Sequence, residues 1–244
     1  MPVRSLYVIQ HTDGEFLGLI EDHLEGRGIR FTYMRPHTAG GQLPATVQCT
    51  DGIVLLGGGP WGSAGTRDLP TRDAEVALIA ACLARGIPVI GIGLGAQLLA
   101  IAAGGGSETA DFGFSVGTAR RVRDHALNGF LPESYPLAVY MRDRPVPPPS
   151  ARVLAEDADG HPALFQIGDN SFGFAGHPGI KVAMIEDLIM EFAETPPDPQ
   201  DGLARLRAVQ NEVADSLVPI MTGLIQMTGL MQPKPTGPNI PPKL

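Results

Sequence analysis

Residues 87–97 read IPVIGIGLGAQ, and how this stretch is interpreted decides the fold. The apolar run 87–92 reads as a buried strand. The glycines at 91, 93 and 95 then call for a tight turn, and a helix is predicted to begin near Ala96. Such a junction delivers the residue at its tip, here Gly93, to the C-terminal edge of a sheet. The helix aims its first amides and the positive end of its dipole at the same point. A thiol at the tip would be activated by that setting. Gly93 has no side chain, so the junction offers amide donors around an empty space and no nucleophile. Two other readings stand beside this one. Gly91-x-Gly93-x-x-Ala96 also fits the loose G-x-G-x-x-A dinucleotide pattern, with Glu108 or Asp111 as the ribose acid. That pattern normally follows the first strand of a domain, and three predicted strands precede this one. The remaining reading is an ordinary strand–turn–helix junction of an unrelated α/β protein.

Upstream, residues 6–10 and the alternating Ile29, Phe31 and Tyr33 predict two strands. A helix between them carries Phe16, Leu17, Ile20 and Leu24 and is closed by Gly26 and Gly28. Residues 52–56 read as a buried strand stopped by Gly57-Gly58-Gly59-Pro60, and 72–85 as a helix turning Val76, Ile79, Ala80 and Leu83 inward. Strands alternating with helices imply parallel pairing in a doubly wound α/β sheet of the flavodoxin-like kind. Between 112 and 174 the character changes. Short β patterns separated by turns, with a proline run at 145–149, predict a smaller antiparallel layer. A helix is expected over 180–192.

TPPDPQ at 195–200 divides a domain, 1–194, from a C-terminal helical and proline-rich extension, 195–244. Asp201 is the expected N-cap of an amphipathic helix over 203–217, and Pro219 is expected to kink or restart it. Leu217, Ile220, Met221, Leu224, Met227 and Met231 can form an apolar stripe, which either packs back onto the chain's own sheet or, as the leading expectation, contacts another subunit or a second copy through 201–244. The tail PKPTGPNIPPKL is expected to lie extended along that partner.

Composition narrows the function classes. With 43% hydrophobic and 18% charged residues the 244-residue chain is globular. A net charge of −8 with no basic run argues against nucleic acid as a partner. No apolar stretch reaches the ~18–20 residues of a membrane span, and MPVRSLYVIQ enters a strand pattern without a leader, so a cytoplasmic chain is expected. Cys49 and Cys82 make neither a metal motif nor a disulfide framework. His11, His23, His37, His125 and His161 are scattered, so neither a metal nor a cofactor is expected.

Three further stretches, DGIVLLGGGP at 51–60, FGFAGHPG at 172–179 and VIQHTDGEFLG at 8–18, join IPVIGIGLGAQ in order and spacing. Together they resemble the class I glutamine amidotransferase family, especially members similar to the GMP synthetase glutaminase domain. The resemblance spans roughly residues 5–193. Gly91, Gly95 and Gln97 match the family's G-x-C-x-G-x-Q elbow, and His177-Pro178 matches its H-P-E. It implies a site in which the amides of Gly58, Gly59 and Leu94, with Gln97 and His177, bind a γ-glutamyl group or glutamine. It also implies that catalysis is lost. The family's thiolate position is Gly93, and the glutamate that would orient His177 is Gly179. A non-catalytic subunit or binding partner in a larger complex is therefore the leading expectation. An active γ-glutamyl amide hydrolase or amidotransferase with relocated catalytic groups, and a small-molecule sensor, are the alternatives.

Overall fold

A computed structural model describes residues 4–231, and its apolar runs form the centre of one nine-stranded sheet. β1 (Ser5–Ile9), β2 (Arg30–Met34), β3 (Ile53–Leu55) and β4 (Val89–Ile92) pair in parallel in the order β2-β1-β3-β4. All three residues of β3 are buried, as expected for a strand covered on both faces. The connections carry α1 (Leu19–Glu25), α2 (Arg72–Ala84) and α3 (Leu94–Ala102).

The antiparallel strands expected in the second half are present and continue the same sheet. β5 (Gly106–Glu108) and β8 (Arg144–Val146) form a small two-stranded antiparallel sheet apart. β6 (Gly113–Arg121), β7 (Ser134–Met141), β9 (Arg152–Glu156), β10 (Pro162–Ile167) and β11 (Ser171–Phe174) complete the large one. β11 is the seam, parallel to β4 on one side and antiparallel to β10 on the other. α4 (Val182–Glu191) and α5 (Pro199–Thr228) pack Met184, Ile185, Leu188, Leu203 and Leu206 against Phe112, Ala138 and Tyr140.

Several expectations need correction. α1 starts at Leu19, so Phe16 and Leu17 belong to the loop before it, and α3 starts at Leu94 rather than Ala96. α2 buries Glu75, Leu78, Ile79 and Cys82, while Val76, Ala80 and Leu83 are only half-buried. The face is rotated because Glu75 turns inward to bind His11, 2.8 Å away. α5 is capped at Asp198, with Pro199 in the first turn, where its missing N–H costs nothing. Asp201 lies inside that turn and pairs with Arg205 at 2.8 Å. Pro219 does not restart the helix, which runs continuously past it.

The expected partner stripe is also used differently. Leu217, Ile220, Met221, Leu224 and Ile225 are buried against Leu6, Leu17, Leu24 and Phe174 of the same chain, with Met227 packed beside them. Residues 195–231 therefore complete the core of the domain they follow. The proline-rich tail from 232 lies outside the described residues. Among the described residues no helix is long and apolar enough to cross a membrane.

Candidate functional site

β4 ends at the sheet's C-terminal edge, and Gly93 makes the turn into α3 with φ 55° and ψ −114°. This is a left-handed setting in which a side chain costs about 1–2 kcal/mol and glycine nothing. The Gly93 amide donates to the Phe174 carbonyl at 2.8 Å, tying the elbow to β11. A Cβ at Gly93 would meet only the Gly57 Cα, at 3.3 Å. The elbow expected from the sequence is thus formed, with room for a small side chain and none present.

His177 lies beside Gly93 but is held by the backbone. Its Nε2 is 2.8 Å from the Phe16 carbonyl, and its Nδ1 is 3.1 Å from the Gly179 amide. A carbonyl can only accept and an amide can only donate, so the ring is the neutral Nε2–H tautomer with its lone pair taken up. Burial pushes its pKa down from 6.5 to about 4. Gly179 is as tightly placed. A Cβ there would lie 2.9 Å from Ile20 Cγ1 and 3.0 Å from the Ile20 nitrogen, so any side chain at 179 requires Ile20 to shift.

The chain's own carboxylates take the places where a substrate would be sought. The Gly57 amide, rather than that of Gly59 or Leu94, donates to Glu15 Oε1 at 2.8 Å. Glu15 is buried, and desolvation pushes its carboxyl up from 4.5 to about 7. It shares with Gly93, Tyr140 and His177 a cavity of about 10 Å³, the space of roughly one water. The Tyr140 hydroxyl is buried without a hydrogen-bond partner. Phe192 covers Gly59, whose Cβ would stand 3.0 Å from the ring, and the Leu94 side chain fills the space beside Gly58. Glu191 accepts from the Asp13 and Gly14 amides, both at 2.8 Å. Glu194 is clamped by Arg67 and Arg142. Segment 191–194 is thereby strapped over the glycine loop.

Gln97 is fully committed inside the protein. Its Nε2 donates to the Arg142 carbonyl at 2.7 Å, and its Oε1 accepts from the Ser63 hydroxyl at 2.6 Å. Of the five expected ligand-binding groups, Gln97 is bonded within the chain and His177 lines the small cavity beside Gly93, while Gly58, Gly59 and Leu94 are not among that cavity's lining residues.

The sequence reading missed a second buried group behind the elbow. His11 Nε2 is 2.8 Å from Glu75 Oε2, and His11 Nδ1 is within hydrogen-bond reach of the Leu56 and Gly57 carbonyls at 3.0 and 2.9 Å. Thr71 donates to the other Glu75 oxygen at 2.6 Å. With acceptors at both nitrogens His11 is the imidazolium. Desolvation is the largest single effect and works against that charge, but Glu75, the Gly57 carbonyl and Glu15 together outweigh it, so the pKa is raised. A buried glutamate on the apolar face of α2 was the available clue. The sequence reading also treated His161 as isolated, yet its ring lies with Asp157 and Asp159 carboxylates within 4.8 Å. The D-x-D-x-H spacing was the clue there. Cys49 and Cys82 are both buried away from the elbow, in the core around α2.

A family model described as glutamine amidotransferase class-I matches residues 11–178. No curated protein sequence matches. Among solved structures, a glutamine amidotransferase from Thermotoga maritima is 22% identical with a TM-score of 0.77, over 93% of this chain and 99% of that one. A glutamine amidotransferase from Methylobacillus flagellatus is 23% identical with a TM-score of 0.72, over 91% and 96%. A Thermoplasma acidophilum protein described as a GMP synthase subunit is 18% identical with a TM-score of 0.55, over 87% and 100%. These TM-scores over most of each chain establish a common fold.

Proposed function

This chain belongs to the class I glutamine amidotransferase family, and we propose that within it the chain is a non-catalytic member serving as a structural subunit or binding partner. The observation that carries this reading is the state of His177, whose two nitrogens are both bonded to backbone beside a tip residue without a side chain. Acyl transfer in a triad needs a nucleophile and a base with a free lone pair within reach of it. Neither is available at the elbow. Relocated groups receive no support from the geometry: both cysteines are buried elsewhere, and the Ser63 hydroxyl is bonded to Gln97. Retained glutamine recognition is likewise disfavoured, because about 10 Å³ cannot hold a γ-glutamyl group. A role within a complex accords with the fold shared with the protein described as a GMP synthase subunit.

The test is hydrolysis of isotopically labelled glutamine by the full chain. Glutamate release indistinguishable from that of a His177→Ala variant is expected. Release well above that control would overturn the non-catalytic reading. The role within a complex is tested by purification from the native source, with an equimolar complex stable through gel filtration as the expected result and recovery of the chain alone as the contrary one.

A further inference from the structure

A cavity far larger than the one beside Gly93 lies away from the elbow. It measures about 630 Å³, within the ~300–1,000 Å³ usual for small-molecule sites, and lies on the antiparallel half of the sheet. Its floor includes Val139, Met141 and Val153, from β7 and β9. One wall is formed by β8 and the three consecutive prolines at 147–149. Proline fixes φ, so this wall resists collapse onto the floor. Ala175 is shared with the small cavity beside Gly93, yet the two spaces have no other lining residue in common.

Charge at the rim determines what would fit. Arg144 Nη1 lies 3.3 Å from His161 Nε2, and His161 Nδ1 lies 3.2 Å from Asp157 Oδ2. Read together, Nδ1 donates to Asp157 and Nε2 accepts from Arg144. Asp157 Oδ1 accepts from the Asp159 and His161 amides at 2.9 and 2.8 Å. The Glu108 and Asp159 carboxylates line the same cavity and have no hydrogen bond or ion pair among the described residues. The lining thus holds three acidic residues, Glu108, Asp157 and Asp159, against one guanidinium, that of Arg144, the cross-strand partner of Glu108. No Phe, Tyr or Trp lines the space, so a bound cation would be held by carboxylates and not by ring faces.

We propose that this cavity is a binding site for a small organic cation, a primary amine on an apolar body, with the ammonium between Glu108 and Asp159 and the body on the β7–β9 floor. The site does not depend on the elbow being inactive.

The experiment is isothermal titration calorimetry of the full chain with three probes of one shape: hexylamine, hexanol and hexanoate. Saturable binding of hexylamine, several-fold weaker binding of hexanol and none of hexanoate are expected. Glu108→Gln and Asp159→Asn should each weaken hexylamine about three- to tenfold, one charge-assisted contact at an exposed rim. Ser115→Trp, at an exposed position lining the cavity, should abolish binding without shifting the melting temperature. Equal affinity for all three probes, no heat with hexylamine, or hexylamine binding unchanged by both carboxylate variants would overturn the proposal. So would a saturable heat with calcium chloride alone that Asp159→Asn removes while hexylamine gives none; that outcome would make the rim a metal site. The probe comparison and the carboxylate variants decide the matter even if Ser115→Trp fails to fold.

Discussion

Restoring a thiol at position 93 is the smallest change that tests the elbow. The space is there, with only the Gly57 Cα within 4 Å of the added Cβ. Gly93→Cys should therefore fold, at a cost of about 1–2 kcal/mol for the positive φ. It should release no more glutamate than Gly93→Cys/His177→Ala, since a ring with pKa about 4 and both nitrogens bonded takes no proton from the thiol. Adding Gly179→Glu should not complete the triad. It drives a side chain into Ile20 and should lower stability by several kcal/mol, as severe overpacking does. A labelled-glutamine assay and thermal melts check both outcomes. A double variant that is stable and active would show that position 179 can relax, contrary to its contacts.

Glu15 gives a pH signature at the same scale. Its folded pKa, about 7, is raised above its ordinary 4.5 because burial disfavours the charged form. The fold therefore holds this proton more tightly than the unfolded chain does. The resulting stabilisation is full below about pH 4.5 and is lost as pH rises through 7, in total on the order of 3 kcal/mol. His177 acts oppositely. Its pKa is depressed, so its contribution is present above 6.5 and lost as pH falls toward 4. The two slopes oppose each other in the wild-type curve, and the difference between Glu15→Gln and wild type isolates Glu15. Glutamine keeps the acceptor for the Gly57 amide, so the variant should gain on wild type between pH 4.5 and 7 and hold that gain at pH 8. Chemical denaturation at four pH values reads it. A difference that is flat with pH would mean Glu15 titrates as an ordinary carboxyl.

At the scale of elements, apolar runs between glycine turns made β1, β3, β4 and the elbow legible, because buried strands leave continuous hydrophobic stretches, and the edge strand β2 was legible from its alternation. β5 and β8 were not legible as strands, β8 because it runs into the prolines that read as a turn; the other five later strands, β6, β7, β9, β10 and β11, were legible as strands. Their membership of the main sheet was not, since the β4–β11 pairing joins residues far apart in sequence and no local pattern announces a partner. The same limit applied to Glu75 and Glu15. A carboxylate on an apolar face reads locally as solvated, and only His11 and the Gly57 amide, brought in by the fold, explain its burial. Pro219 misled in another way. Propensity predicts a break, and the buried Leu217, Ile220 and Met221 around it hold the helix through it. Pro219→Ala should return an N–H to the ladder and stabilise the protein, by up to ~3 kcal/mol. Thermal melting measures this, and an unchanged or lower melting temperature would mean the helix is already adapted to its proline.

For the molecule as a whole, α5 decides whether 1–194 is a domain that stands alone. Five of its apolar side chains, Leu217, Ile220, Met221, Leu224 and Ile225, sit in the core with β1 and α1 residues. At roughly 1.5–3 kcal/mol each their burial rivals the ~5–15 kcal/mol net stability of an ordinary domain. Truncation after Gln200 should therefore unfold the protein rather than merely release a partner. Circular dichroism should show no cooperative melt for residues 1–200. A cooperative transition near that of the full chain would return α5 to the role of an appendage.

The seam strand also imposes an order on synthesis. β4 pairs with β11, and the bond from the Val89 amide to the Ser171 hydroxyl spans 82 positions. A ribosome adding about 5–20 residues per second needs roughly 4–16 s to cross that gap. Throughout it the nascent chain carries an apolar strand, VIGI, with one edge unsatisfied. The elbow is thus assembled late, by a strand made long after it, and arrested nascent chains should gain protease resistance only once both β11 and α5 have left the exit tunnel.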